Sequence, residues 1–355
     1  MNDKPPGWMR GWQPERPTLY TNKSIAIVGS GPAGLSCAQQ LTRAGHDVVV
    51  FEKRGKLGGL MRYGVPDYKL DKVHIDERLY QMNAEGTISF CSVHVGVNKP
   101  IQELIETYDA VVLACGAEKP RDLQVPGRWL HGVHFAMEFL AQQNKRVSGE
   151  QLLGELPIFA KGKRVLIVGA GYTAADCMGT AKRQRARSIK NFAITPELPE
   201  TLTEEQKSLT WPHVPKILHV TPSHEEVGIR PVFSTAVTGF TGTRGHVKRV
   251  HCVRVDSNWR PVAETEFSVK ADLVLIAIGF AGPVYDGILA TLGVEMNERG
   301  NVKADDQSYR TNVPNVFVAG DMRRGASLIV WAIREGRQCA HAVDKFLMGE
   351  TTLPR

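Results

Sequence analysis

Lys23-Ser-Ile-Ala-Ile-Val28 runs directly into Gly29-Ser-Gly31-Pro32-Ala33-Gly34, and Leu35-Ser-Cys-Ala-Gln-Gln-Leu-Thr-Arg-Ala44 follows. The first stretch is a short β-branched run of the kind that forms a buried strand. The third places Leu35, Ala38 and Leu41 on one helical face. Gly45 stops the helix, and Asp47-Val-Val-Val-Phe51 reads as the next strand, closed by Glu52. A strand, a glycine-rich turn, a helix and a second strand make up the unit that seats a dinucleotide. The first glycine permits the tight turn, the second lets a pyrophosphate approach the backbone, and the third lets helix lie on strand. Glu52 is placed to accept hydrogen bonds from an adenosine ribose. Its structural alternative is a plain surface Glu at a strand end.

The same grammar recurs further along. Arg164-Val-Leu-Ile-Val168 is a strand, Gly169-Ala-Gly171-Tyr172-Thr173-Ala174 a turn, Thr173 to about Arg185 a helix, and Ile189 to Ile194 the next strand. Ala174 replaces the third glycine, a permitted variant. No acidic residue closes that second strand. Lys182, Arg183, Arg185 and Arg187 surround the helix end and are candidates for a 2′-phosphate, although cations at a helix C-terminus are favoured by its dipole anyway. The choice between NADPH and NADH stays open at this point.

Strands are also expected at Thr87–Val95, Asp109–Ala114, His246–Val255, Ala263–Val269, Leu273–Ile278 and Val316–Ala319, and a long amphipathic helix at Ser327–Met348. The last two of those strands end in Gly279 and Gly320. Thr195 to Gly228, with its prolines, reads as an irregular excursion.

The composition excludes several classes. Hydrophobic residues make up 42% and charged residues 23% of the 355, as in an ordinary globular protein. Lys and Arg number 44 against 37 Asp and Glu, a formal +7 that is modest for this length. No basic–aromatic nucleic-acid motif accompanies it, so no nucleic-acid partner is expected. The six cysteines stand singly, without CxxC or metal-ligand spacing, so no metal, zinc finger or sequence-local dithiol is expected. The N-terminus lacks a signal-peptide apolar core, and no run approaches a membrane span, so a cytoplasmic setting with no membrane partner is the expectation.

At this point the residues resemble the small (β) subunit of glutamate synthase and related two-dinucleotide flavoprotein reductases. The similarity is carried by Gly29–Gly34, Glu52–Leu70, Ala114–Leu123, Val133–Leu140, Gly169–Cys177, Trp211-Pro-His-Val-Pro215 with Ser223–Glu226, and Gly320–Gly336. It implies an α/β chain of two Rossmann-like, three-layer domains, with a nicotinamide domain (122–283) inserted into an FAD domain (22–121 and 284–355) behind an N-terminal extension (1–21). FAD contacts are implied at Gly29, Gly31, Pro32, Ala33, Gly34, Glu52 and Lys53. Gly58, Gly59, Leu60 and Arg62 match a loop beside the pyrophosphate and ring, and Val95 lies where backbone meets adenine. Ala114, Cys115, Gly116, Gly320 and Asp321 complete that site, with Ala326, Ser327, Leu328 and Val330 at the start of the helix aimed at the flavin; Ser327 also suits an N-cap.

NADPH or NADH is implied at Gly169, Gly171, Tyr172, Thr173, Ala174, Arg183 and Gly279. His213, His224, Glu225 and Glu226 are candidates for the nicotinamide side. Family members carry an N-terminal cysteine-rich domain with iron–sulfur clusters, whereas the first cysteine here is Cys37, so no such domain is expected. Without a CxxC after the second turn, thioredoxin-reductase-type chemistry is not expected, and Cys177 reads as a packing thiol. The implied activity is electron transfer from NAD(P)H through FAD to an acceptor. That acceptor is a protein such as a ferredoxin or iron–sulfur subunit, or a small oxidised substrate. The alternative is a flavoprotein input subunit active only within a larger complex. Hydride transfer needs no side-chain acid or base, so no catalytic side chain is singled out.

Overall fold

The computed structural model describes residues 13–197, 203 and 226–355. The chain divides into two compact units. The first comprises residues up to Tyr63, Asp67–Lys119 and Phe280–Arg355, and the second Gly64–Pro66 and Pro120–Gly279. Val65 belongs with the second because its carbonyl accepts from Asn144 Nδ2 at 3.1 Å.

The first unit is built on a parallel five-stranded sheet. Its elements run β1 (Ser24–Val28), α1 (Pro32–Arg43), β2 (Asp47–Phe51), α2 (Gly59–Tyr63), α3 (Val73–Glu85), β3 (Ile88–Phe90), α4 (Ile101–Thr107) and β4 (Ala110–Leu113). Short β5 (Lys119–Pro120) lies where the chain leaves the unit. In the second unit come β6 (Val133–Phe135), α5 (Ala136–Val147), β7 (Arg164–Val168), α6 (Tyr172–Arg183), β8 (Ser188–Phe192), β9 (Thr235–Thr243), β10 (His246–Arg254), β11 (Phe267–Lys270) and β12 (Leu273–Ile276). The chain returns through β13 (Phe280–Gly282), adds β14 (Val316–Val318), and ends in a helix over Ile329–Met348.

Sheet order in the first unit is β14-β4-β1-β2-β3. Period-two alternation sends Ile25 and Ile27 to one face and Ala26 and Val28 to the other. Both faces are buried, which is why the strands read as continuous apolar runs rather than alternating ones. Ile25 and Ile27 meet α1 and the C-terminal helix, while Ala26 and Val28 meet Ile101 and Leu104 of α4. Each of the buried Ile, Leu and Val side chains contributes about 1.5–3 kcal/mol relative to exposure.

The second unit repeats the plan with a parallel sheet ordered β6-β12-β7-β8. Val165 and Ile167 face α5 and α6. Leu166 and Val168 face Phe240, Val250 and Cys252 of an antiparallel sheet ordered β11-β10-β9. Both units therefore have three layers, but helices cover one face of the second and strands the other.

Several elements differ from expectation. Strand β3 covers only Ile88–Phe90, because the chain to Val95 turns irregularly, and β11 starts at Phe267. Strand β9, carrying Gly239 and Gly242, was not anticipated. The C-terminal helix begins at Ile329 with Leu328 as N-cap, so Ser327 is not its cap.

Candidate functional site

In each unit three sequence-distant turns converge on the carboxyl edge of the sheet. In the first, Gly29 has φ +104°, and a Cβ there would lie 2.6 Å from the Ala114 carbonyl oxygen. A Cβ on Gly34 would lie 1.9 Å from Gly29 O, so glycine is required for helix to meet strand. Gly31 differs: a Cβ there meets nothing within 4 Å. The one glycine without a packing reason is the one whose side-chain space stands open, at the N-cap of α1 with no side-chain cap. Pro32 and Ala33 then form the first turn, where backbone N–H groups lack intrahelical partners.

The second unit matches this residue for residue. Gly169 has φ +120° and would set a Cβ 2.2 Å from Ala277 O, whereas Gly171, the N-cap of α6, opens onto nothing within 4 Å. Ala174 is fully buried, so a methyl fits where Gly34 admits none. Strand register carries the match to the third turn. Val28 pairs with Leu113 and Val168 with Ile276, so Ala114-Cys115-Gly116 and Ala277-Ile278-Gly279 occupy equivalent places. Gly116 and Gly279 both have positive φ, +75° and +88°, with open space beside them.

The turns are braced differently. Glu52 is buried, and its carboxylate accepts from Ser30 N (3.1 Å), Ser30 Oγ (2.5 Å) and Arg54 N (2.8 Å). It therefore holds the turn itself. By the pairing of Val28 with Phe51 and Val168 with Phe192, its counterpart is Ala193. Instead, buried Asn191 donates through Nδ2 to Gly169 O (2.6 Å) and Ile167 O (3.1 Å). Sequence reading passed over Asn191 and Ser30, although an Asn inside a strand was itself a signal of a specific partner.

Around the first turn, Gly58 N donates to Ser30 Oγ (3.0 Å), and a Cβ on Gly59 would lie 2.8 Å from Gly31 Cα. The Gly58–Gly59 loop thus rests on the glycine turn, with Leu60 exposed beyond it. Gly320 lies against Ala33, where a Cβ would meet Ala33 Cβ at 2.7 Å. Asp321 Oδ1 accepts from Ser327 Oγ (3.0 Å), and burial raises its carboxyl above the ordinary range. Leu328 and the exposed Val330 open the C-terminal helix, whose first N–H groups have no side-chain cap. Val95 is buried in the core of the first unit.

Other expected residues point elsewhere. Arg62 is buried and spends its guanidinium on Leu57 O (2.5 Å) and Asp76. Lys53 pairs with Glu118. Arg183 ends α6, so about 16 Å of helix separates it from the turn at Gly171. Its partner there is Glu226, whose Oε2 accepts at 2.9 Å. Lys182, Arg185 and Arg187 share that end, before β8 begins, so the structure separates the whole cation group from the turn. His213, His224 and Glu225, like Trp211–Pro215, lie outside the described residues. Tyr172 and Thr173 sit in the first turn of α6.

Burial acts on the thiols beside the two turns. Burial pushes the Cys115 thiol up to about 12, and its N–H donates to Met322 Sδ at 3.0 Å. Cys177 is fully buried and raised well above the usual range by desolvation. Among the described residues no helix is long and apolar enough to cross a membrane.

Comparison with known proteins agrees with this geometry. Residues 23–336 match the pyridine nucleotide-disulphide oxidoreductase family, and the chain belongs to it. It is an FAD-dependent NAD(P)H oxidoreductase with two Rossmann-like domains. Within that family it is similar to the glutamate synthase [NADPH] small chain of Mycobacterium tuberculosis H37Rv, 50% identical over 97% of this chain and 71% of that one. The glutamate synthase [NADH] of Schizosaccharomyces pombe is 40% identical over 98% of this chain but only 17% of its own length. Among solved structures, Mycobacterium tuberculosis FprA in complex with NADPH superposes with a TM-score of 0.69 at 21% identity, covering 92% of this chain and 85% of that one.

Proposed function

We propose that the first unit holds FAD and the second NAD(P)H, and that electrons leave for a partner protein, so that the chain acts as the electron-input subunit of a glutamate synthase-like assembly. The observation that carries the two-site reading is the pair of open glycines. Gly31 and Gly171 alone in their turns have vacant space for a Cβ, at two helix N-termini without side-chain caps. That is the shape a pyrophosphate fills, so the residues fit the cofactors.

FAD held in the first unit would supply a two-electron carrier between the nicotinamide and the acceptor. The chain's own residues bind and orient. Backbone N–H groups after Gly31 and Gly171 receive phosphate, and Glu52 and Asn191 fix the turns that present them. First-turn N–H groups at Leu328–Val330 offer positive potential to the electron-rich edge of reduced flavin. The desolvated Asp321, bridged to Ser327, offers a hydrogen-bonding partner to the ribityl or phosphate region.

Three observations support a protein acceptor. The M. tuberculosis relative bears the name small chain. Cys37, Cys177, Cys252 and Cys339 are buried, and desolvation raises the Cys115 and Cys91 thiols, which disfavours thiolate-based disulfide chemistry. No CxxC exists in the sequence. Free cysteines throughout suit a reducing compartment, the cytoplasm. With the cation group at Arg183 removed from the turn, both nicotinamide nucleotides remain substrates to compare.

Anaerobic stopped-flow mixing with NADH and with NADPH tests the reading. Flavin bleaching by at least one is expected, with slow turnover on small acceptors and fast turnover on the large subunit or an iron–sulfur protein. Rapid, saturable turnover on a small disulfide or quinone would overturn the protein-acceptor assignment.

A further inference from the structure

Asp321 is carried on a single helical turn, Asp321–Arg324, that follows β14 and is bounded by Gly320 (φ +75°) and Gly325 (φ +91°). One turn with a glycine at each end does not hold its own geometry, because too few hydrogen bonds offset the backbone entropy. Its placement comes from neighbours. The Met322 carbonyl accepts from Val302 N at 2.8 Å, and the next residue, Arg323, reaches the C-terminal helix.

There Arg323 grips Glu335 as a fork on a carboxylate. Nε donates to Oε2 at 2.7 Å and Nη2 to Oε1 at 2.5 Å. Nη1 donates to Ala304 O at 3.3 Å, and the guanidinium lies 4.8 Å from the centre of the Tyr309 ring. Buried Tyr309 is itself fixed, since its hydroxyl donates to Gln338 Oε1 at 2.7 Å. The side chains of Arg323 and Glu335 are only 13% and 4% exposed, so solvent screens this pair little.

Glu335 is anchored in turn. Its neighbour Gly336 marks where the C-terminal helix crosses α1. A Cβ there would lie 2.2 Å from Ala33 O, and Ser36 Oγ donates to Ile333 O at 3.1 Å. The fork therefore ties Asp321 to the point at which the C-terminal helix is pinned on the helix of the first glycine turn. The two carboxyl groups also sense each other: burial raises that of Asp321, and the negative charge of Glu335 adds to the rise.

A buried ion pair is a poor device for stability alone, since apolar residues of similar volume serve as well. What a bidentate fork adds is a fixed geometry. We propose that Arg323 and Glu335 are positioning residues of the FAD site, holding Asp321 in register with α1 so that its carboxyl meets the ribityl or phosphate region of the flavin nucleotide. This rests on the assignment of FAD to the first unit.

Serial dilution of the flavin-loaded full chain, with released FAD read by its fluorescence, gives the dissociation constant, and circular dichroism reads the fold. The paired replacement of Arg323→Met with Glu335→Leu removes both charges together. It should fold as the wild type yet raise the Kd for FAD about tenfold or more. Arg323→Lys keeps the charge without the fork and should raise Kd by a smaller factor; it carries the same comparison if the paired variant fails to fold. On an Asp321→Ala background neither change should weaken FAD further, because the pair acts through Asp321. Wild-type Kd in a folded variant overturns the proposal, and so does an equal loss on the Asp321→Ala background, the mark of a purely structural pair. A wild-type chain that holds no FAD would remove the assignment of FAD to the first unit, and the proposal with it, before any variant is compared.

Discussion

The side-chain amide of Asn191 donates to the carbonyl of Gly169 at 2.6 Å, so the turn after β7 is held by a residue on the neighbouring strand. In the first unit the same task falls to Glu52, which grips Ser30 from two positions further along, just past the end of its strand. Two solutions to one mechanical problem imply that the brace, rather than a carboxylate as such, is what both turns need.

Asn191→Leu keeps the side-chain volume and removes both donors, leaving two buried carbonyls short of partners. A stability loss of roughly 1–3 kcal/mol is expected. Because the loosened turn begins the second cradle, KM for NAD(P)H should rise while FAD stoichiometry stays at that of the wild type. Flavin absorbance together with steady-state kinetics reads both. A loss of FAD without a change in nucleotide KM would contradict the division of sites.

The glycines separate ligand space from packing space. Gly31→Val places its Cβ where no atom beyond the adjoining residues lies within 4 Å, so the chain should fold with wild-type circular dichroism and purify without flavin. Gly171→Val should fold, keep FAD, and no longer bleach with NAD(P)H. Gly34→Ala, by contrast, drives a methyl to 1.9 Å from Gly29 O and should cost several times more stability than either, despite being the smallest change. Equal effects from all three would mean that the open space is not ligand space.

The glycine turns were legible in the sequence because their requirement is local: a missing Cβ beside a β-branched run is visible without knowing the fold. Strand β12 and the Gly279 turn were legible for the same reason. Asn191 and Ser30 were not picked out, since their partners sit on other strands and only pairing reveals them. Arg183 misled because charge at a helix end looks alike whether it meets phosphate or solvent. Only the direction of α6, running away from the turn, distinguishes the two. Strand β9 escaped because Gly239 and Gly242 break its pattern. Gly242 is there because a Cβ would lie 2.0 Å from His246 O across the hairpin.

Asp272 ties the start of β12 to the start of β7. Its Oδ2 accepts from Arg164 Nε (2.8 Å) and Arg164 N (3.1 Å), and its Oδ1 from Arg164 Nη2 (2.7 Å). The Arg164 hydrogen bond lowers its carboxyl from an ordinary 3.8 to about 2. The unfolded chain therefore binds this proton more readily than the folded one. The contribution is complete above about pH 4 and is lost as pH falls through about 2. Solvent screens the pair, so its contribution to stability is small. The gap in Tm between the wild type and Asp272→Asn should narrow from pH 7 to pH 2 in low salt. A gap of constant size would remove the ionic explanation.

Cys115 is the cysteine nearest the first glycine turn, its Sγ 3.4 Å from Val28 O, and it is the natural suspect for a thiol relay. Desolvation raises it to about 12, so at neutral pH it is a thiol and a poor nucleophile. Iodoacetamide should leave it unmodified in the folded, flavin-loaded protein. Cys115→Ser should retain reduction of the flavin by NAD(P)H at close to the wild-type rate, and turnover on the protein acceptor with it. Rapid alkylation of Cys115, or a variant that accepts hydride normally yet cannot pass electrons on, would instead put a sulfur between flavin and acceptor. The first-unit site would then be a thiol reductase rather than a direct electron donor.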